Sequence, residues 1–402
     1  MKKAVMYGAG NIGRGFIGQL FSESGYEVVF VEVNGEIVNR LNKDRSYPVR
    51  IVSDSGFKEV TVGNARAVSG TDTEAVAAEI SDADIMATAV GVNVLPRIAG
   101  PIAMGLSKRW AGKNGQPLNI IICENRIDAN KYLAELIKNE LAGDEAAVFD
   151  KTVGLVEASI GRMVPVMTPQ MQEGNILRVW VEEYCELPVD KEGFKGEIPK
   201  IANMVPFSPF DYYIRRKLFI HNLGHATAAY LGYMKGYTYI WEAVEDETIR
   251  YITGRAMEES AAALSREYGI SIGEITVHIE DLLRRFGNKY LGDQVERVGR
   301  DPLRKLSPND RLAGAMLFCL KNGVKPVCIC AGLAAGLCFD NENDPAALKL
   351  QEMIREKGLD AVLADLCGIT GNPGEKETIR SFYDMIRSGG DLKYIIDAVR
   401  NY

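Results

Sequence analysis

The stretch Ala4-Val5-Met6-Tyr7-Gly8-Ala9-Gly10-Asn11-Ile12-Gly13 decides the fold. A short apolar run leads into G-x-G-x-x-G, and a helical pattern over residues 12–24 follows. Strand, glycine turn and helix in that order are what a dinucleotide-binding unit requires. Gly8 permits the tight turn, Gly10 lets a pyrophosphate approach the backbone, and Gly13 lets the helix pack on the strand with its first amides facing the phosphates. The next apolar run, residues 28–33, carries Glu32 near its end, 19 positions beyond Gly13. A carboxylate at that place accepts ribose hydroxyls. Its charge opposes a 2′-phosphate, so NAD is expected over NADP, with the nearby cation Arg14 softening the preference.

Outward from this motif, apolar runs at 4–7, 28–33, 84–90, 119–123 and 154–158 alternate with helical patterns at 12–24, 35–42, 95–109 and 128–141. Strands that are apolar on both faces and separated by helices specify a parallel, doubly wound sheet. The expectation is an α/β N-terminal domain of the Rossmann type, with 176–186 as a further strand at an edge. Beyond about residue 193 the strand signal fades. Helical segments follow at 209–232, 246–268, 275–285, 308–320, 344–357 and 379–387, so an all-α C-terminal domain is expected. The charged stretch 190–199, with glycine and proline, marks the boundary and divides the chain into 1–193 and 194–402.

The chain of 402 residues is long enough for two domains, and its 47% hydrophobic and 25% charged residues fit globular structure rather than disorder. With 47 Lys+Arg against 54 Asp+Glu, the net charge of −7 gives no global field to recruit nucleic acid or anionic lipid. No run approaches the ~20 consecutive apolar residues of a membrane span, and the start carries no secretory pattern. The seven cysteines, an odd number without a C-x-x-C pair, read as buried thiols in a reducing cytoplasm. A cytoplasmic monomer is expected, with a homodimer as the alternative.

A polar set interrupts the apolar run Arg215-Arg216-Lys217-Leu218-Phe219-Ile220-His221-Asn222-Leu223-Gly224-His225. At about 100° per residue, His225 falls about 80° and Asn222 about 140° around an α-helix from Lys217. An ammonium, an amide and an imidazole therefore share one broad face. Burial would lower the lysine pKa and suit it to proton transfer. His221 and His225 have zinc-pair spacing, but Asn222 replaces the Glu of H-E-x-x-H and no third ligand is evident, so no metal is expected. The bland reading is a snorkelling lysine beside a hydrogen-bonded core histidine.

Cys123-Glu124-Asn125-Arg126 follows the run 119–123, at the carboxyl edge where open sheets bind ligands. Asn125 there suits a substrate oxygen or a backbone cap. Arg297, Arg300, Arg304 and Lys305 form a cation cluster in an acidic chain, readable as a solvated surface or as a site for a phosphate monoester. Residues 340–344 superficially resemble a calcium loop, but Pro345 stands where Gly is needed, so Asp344 reads as a helix cap.

These motifs together resemble the polyol-specific long-chain dehydrogenases over nearly the whole chain. The resemblance is carried by YGAGNIGRGFIG at the start, TAVG at 88–91, LNIIICEN at 118–125, RKLFIHNLGHA at 216–226, MEES at 257–260 and ERVGRDPLRKLSPNDRL at 296–312. It implies that Lys217 is the general acid/base, that Asn125 and Asn222 bind the reacting oxygen, and that His225 holds the substrate. It implies that Thr88, Ala89, Val90 and Gly91 join Gly8, Ala9, Gly10, Asn11, Ile12, Gly13 and Glu32 on the cofactor NAD. Arg297 and Lys305 match polyol contacts, and Arg300 and Arg304 look like the version for a phosphorylated substrate. One departure is Gly161-Arg162 where the family has an Asp-Arg pair, which bears on substrate stereochemistry or chain length. The implied reaction is reversible, metal-free oxidation of a sugar-alcohol phosphate to a ketose phosphate, D-mannitol 1-phosphate to D-fructose 6-phosphate being the pair indicated. The cofactor would sit on the first domain and the substrate on the second, with chemistry in the cleft between them. Another polyol phosphate, a free polyol or a hexuronate is the alternative substrate. A silent NAD-binding regulator is the rival of another class, disfavoured by the complete lysine, asparagine and histidine set.

Overall fold

Five apolar runs and a sixth that periodicity did not disclose pair into one parallel sheet. The computed structural model describes residues 1–53, 55–112 and 116–400. The strands are β1 (Lys2–Tyr7), β2 (Tyr26–Glu32), β3 (Tyr47–Ser53), β4 (Gly56–Val62), β5 (Ala65–Ser69), β6 (Ile85–Thr88), β7 (Leu118–Ile122), β8 (Val153–Glu157), β9 (Val179–Glu182), β10 (Leu187–Asp190) and β11 (Met204–Phe207). The main sheet has the order β5-β2-β1-β6-β7-β8, and every pairing in it is parallel. The expected doubly wound α/β sheet is present, and its order reverses between β1 and β6.

Alternate residues of one strand feed two separate cores. Ala4 and Met6 pack with Phe16, Leu20 and Phe30 on one face. Val5 and Tyr7 pack with Val29, Ile98 and Ile102 on the other. Burial on both faces is the reason these strands read as unbroken apolar runs. Truncating a fully buried ring such as Phe30 would cost about 3–5 kcal/mol, a large part of a typical folding free energy. The sheet is therefore a stiff base for the loops at its carboxyl edge.

Three features differ from the sequence reading. The run 176–186 yields only Val179–Glu182, which pairs with β3 in a separate sheet of order β4-β3-β9 and not at an edge of the main one. The antiparallel pair β3 and β4 was not foreseen, because β4 is exposed on both faces over much of its length and lacks alternation. The compact units are Met1–Asp211 and Tyr212–Tyr402, so the division falls after the 193/194 boundary read from composition. The charged stretch belongs to the first unit: β10 pairs with β11, and the Asn119 amide bonds to the Lys195 backbone in both directions, at 3.1 and 2.8 Å.

The second unit is helical, as expected. Among its described residues the bridge Tyr239 with Gln294 is isolated and no strand forms. Its longest helix, Glu247–Tyr268, is opened by Asp246, which accepts from the Thr248 and Ile249 amides. Asp344 likewise caps Pro345–Lys357 through the Ala346 amide, which bears out the capping reading of that acidic loop. Val327–Leu337 escaped detection because all eleven of its residues are buried. A helix that is apolar all round has no stripe to reveal it. Cysteines 319, 328, 330, 338 and 367 are buried free thiols of this unit.

Candidate active site

In the first unit the glycine turn is a tight cradle. β1 ends at Tyr7, and Gly8 takes a φ of 101°, a conformation that disfavours any side chain. A Cβ on Gly8 would stand 2.6 Å from the Ala89 carbonyl oxygen, and one on Gly13 would stand 2.0 Å from the Gly8 oxygen. At Gly10 there is no heavy atom within 4 Å of the Cβ position. The turn is thus closed on the protein side and open at its tip, which fits the close approach of a pyrophosphate. The helix behind it begins with a π-turn, Gly13–Ile17, before Gly18–Glu23. Asn11 and Ile12 lie partly exposed in the turn, and Asn11 Nδ2 donates to the Pro165 carbonyl at 3.3 Å.

Glu32 ends β2 beside this turn. Its Oε2 accepts from the Ala9 amide at 3.0 Å, and its Oε1 accepts from Val33 and Asn34 at 2.8 and 3.0 Å. The carboxylate therefore pins the glycine turn, and with four lone-pair sites it retains capacity for a ribose hydroxyl. Arg14 is buried and donates to the Ile176 carbonyl at 2.9 Å. Burial lowers its pKa, while Tyr47 and Glu32 oppose that shift.

β6 ends at Thr88, which is buried with its hydroxyl unpartnered. Ala89, Val90 and Gly91 form the turn that follows. Sequence reasoning gave Glu124 no role, yet it accepts from the Val90 amide at 2.9 Å and from the Gly91 amide at 2.8 Å. Asn125, the next residue, is exposed.

In the second unit the lysine segment is not one regular α-helix. Lys217–Asn222 is a π-helix, followed by the α-helix Leu223–Met234. The 100° spacing used for Lys217, Asn222 and His225 does not hold through it, because a π-turn bonds i to i+5. Such widenings frequently mark functional positions. Lys217 and Asn222 are partly exposed, and His221 is buried. Burial depresses the His221 pKa well below the ordinary value, with Lys217, Arg285, His225 and His278 acting in the same direction. His278 is pushed down to about 2 by burial and then by Arg216, Arg285 and Lys217. Lys217 thus lies near enough to His221 and His278 to act on both, and it is His278, far along the chain, whose place in this group the sequence conceals.

His225 stacks on Phe286 at 4.9 Å with the rings 11° apart. Its Nε2 lies 2.8 Å from Asp293 Oδ2, although the N–H is not directed along that line. Asp293 also receives the guanidinium of Arg297. Burial opposes ionisation of Asp293, but His225 and Arg297 outweigh it and hold the carboxyl below its usual pKa.

The cation cluster is divided. Arg304 pairs with Asp301 at 2.9 Å and with Asp310 at 2.8 Å. Lys305 is buried and donates to the Arg300 carbonyl. Burial, then Arg311 and Arg304, bring its pKa down to about 7. The Arg300 side chain is exposed. At Gly161, a Cβ would meet the Tyr184 ring at 3.1 Å, so that ring crowds the position where the resembling family carries aspartate. Among the described residues there is no group of three or more His, Cys, Asp or Glu side chains arranged to hold a metal ion.

A Gly-rich cradle on a doubly wound sheet, followed by a helical unit with a lysine on a widened turn, defines a two-unit protein of the dinucleotide-binding dehydrogenase class. Residues 2–203 match the mannitol dehydrogenase Rossmann domain and residues 210–386 match the mannitol dehydrogenase C-terminal domain. The chain belongs to the mannitol dehydrogenase family. A relative described as mannitol-1-phosphate 5-dehydrogenase, from Halalkalibacterium halodurans, is 40% identical over 368 residues, covering 91% of this chain and 96% of that protein. The fold is similar to that of the Pseudomonas fluorescens mannitol 2-dehydrogenase ternary complex with NAD and D-mannitol. That similarity has a TM-score of 0.75 at 16% identity and covers 100% of this chain and 94% of the other. A D-sorbitol dehydrogenase in substrate-free form gives a TM-score of 0.78 at 15% identity, with 98% and 95% covered.

Proposed function

We propose that the chain catalyses reversible NAD-dependent oxidation of D-mannitol 1-phosphate to D-fructose 6-phosphate. The observation that carries this reading is the 40% identity, over nearly the full length of both chains, to a protein of that name. The tight glycine turn with its open tip supports a dinucleotide as the partner of the first unit, and Glu32 supports NAD over NADP.

NAD, when bound, supplies the acceptor for the hydride. Lys217, as the neutral amine, takes the proton of the reacting hydroxyl while the hydride leaves the same carbon. Asn125 and Asn222 donate amide hydrogens to the oxygen as negative charge develops there, an arrangement that stabilises the transition state more than the alcohol. His225, held against Phe286 and Asp293, binds a substrate hydroxyl. In the reverse direction the Lys217 ammonium returns the proton to the nascent alkoxide. Proton transfer is assigned entirely to lysine, so no metal enters this reading.

A free polyol or a hexuronate is the second reading, and one observation favours it: Arg297 and Arg304 are already satisfied by aspartates. A panel of polyols, polyol phosphates and ketose phosphates, assayed with NAD and NADP by absorbance of the reduced cofactor, decides between them. The expected result is highest kcat/KM with D-mannitol 1-phosphate and NAD. Higher values for an unphosphorylated substrate would transfer the assignment to the second reading.

A further inference from the structure

Glu124 does not belong to the glycine motif or to the lysine set, yet it shapes the carboxyl edge of the sheet. Its side chain is buried, and its two oxygens take the consecutive amides of Val90 and Gly91. The turn so held includes Gly91 at a φ of 89°. The Cys123 amide donates to the Thr88 carbonyl at 2.9 Å, tying the tip of β7 to that of β6. The Ala89 amide donates to Tyr7 at 2.9 Å, tying the same turn to β1. The Ala89 carbonyl closes on Gly8, and the Ala9 amide is taken by Glu32 at the end of β2. One unbroken run of contacts therefore crosses the tips of β7, β6, β1 and β2, with a carboxylate at each end.

That run spans the reversal of strand order between β1 and β6, outside which open sheets bind dinucleotides. Glu32 marks the adenosine half, beside the glycine turn. With Glu32 at the adenosine half on the NAD reading, the nicotinamide half would lie toward β6 and β7, where Glu124 stands next to Asn125. Because Glu124 occupies both amides, they are withheld from anionic groups. What the crevice retains is a fixed negative charge in a poorly solvated place, where its field is strong. The oxidised nicotinamide ring is cationic and the reduced ring is neutral, so such a charge discriminates between them.

We propose that Glu124 is a positioning residue that holds the 89–91 turn as a wall of the cofactor crevice and, through its charge, favours the oxidised over the reduced cofactor. The inference rests on the NAD reading but not on the identity of the polyol. The test uses E124Q and E124D in the full chain, with calorimetric titration of NAD⁺, fluorescence titration of NADH, hydrogen exchange at Val90 and Gly91, and thermal melting. For E124Q, NAD⁺ affinity should fall about tenfold or more, as loss of a charge-assisted contact predicts, NADH affinity should fall less, and exchange at the two amides should accelerate. E124D keeps the charge but cannot span both amides, so it should weaken both forms together and leave their ratio as in wild type. Equal weakening of the two forms in E124Q, or none, overturns the proposal. If E124Q is too unstable to titrate, E124D decides: wild-type affinity or a changed ratio there overturns it equally. A wild-type chain that binds neither NAD⁺ nor NADH would count instead against the NAD reading.

Discussion

Asp293 Oδ2 stands 2.8 Å from Nε2 of His225. With Arg297 on its other oxygen, the carboxylate links a residue of the lysine segment to a residue of the cation cluster. Arg297 thus acts in the free protein as a partner of Asp293, whatever it touches when substrate is bound. If His225 holds the substrate as proposed, replacing Asp293 by Asn, which removes the negative charge beside its ring, should lower kcat/KM by about tenfold to a hundredfold. NADH affinity should be unchanged. Activity within twofold of wild type would remove Asp293 from the site.

Lys217→Ala should lower kcat by about 100- to 10,000-fold, the usual range for loss of a general acid or base, while NADH titrates as in wild type. Treatment of the wild-type enzyme with EDTA should not change its rate. An active alanine variant, or a rate abolished by EDTA and restored by zinc, would overturn the lysine assignment.

The phosphate is best tested at Arg300, whose side chain is exposed while Arg297 and Arg304 are engaged by aspartates. If it reads the phosphate, Arg300→Ala should raise KM for D-mannitol 1-phosphate. The loss in kcat/KM should be about tenfold to a hundredfold, corresponding to about 1.5–3 kcal/mol. D-Mannitol should be affected much less. Comparing two substrates within one variant removes any general damage to folding, and equal slowing of both would exclude the role.

Glu259 gives the helical unit a pH-dependent stability. Burial pushes its carboxyl up to about 7 from the ordinary 4.5, although the Cys328 and Ile329 amides that it accepts favour the ionised form. Between those two values the folded chain holds a proton that the unfolded chain has released. Stability from this group is therefore full below about 4.5 and is lost as pH rises through about 7. The difference in unfolding free energy between wild type and E259Q, from denaturant melts at several pH values, should decline across that window. Parallel pH curves for the two proteins would refute it.

The sequence by itself determined the nucleotide-binding half of the protein. Gly8, Gly10 and Gly13 need no side chain to announce a turn, and the doubly buried strands β1, β2, β6, β7 and β8 announce a parallel sheet by their unbroken apolarity. Both signals are local, carried by neighbouring residues whose backbone and solvent requirements are the same in any context. The lysine segment was legible as a polar set, but its π-winding was not, because an i to i+5 turn is imposed by packing and leaves no periodic trace over six residues. Glu124 and Asp293 were hidden for a related reason. A carboxylate declares its role through the amides or the imidazole it meets, and those lie 34 residues away for Val90 and 68 residues away, at His225, for Asp293. The cation cluster shows the same limit from the other side. Four positive charges in nine residues read as one anion site, until the fold brought Asp293, Asp301 and Asp310 against Arg297 and Arg304. Only tertiary structure decides which charges are already paired, because pairing depends on distance in space and sequence records distance along the chain.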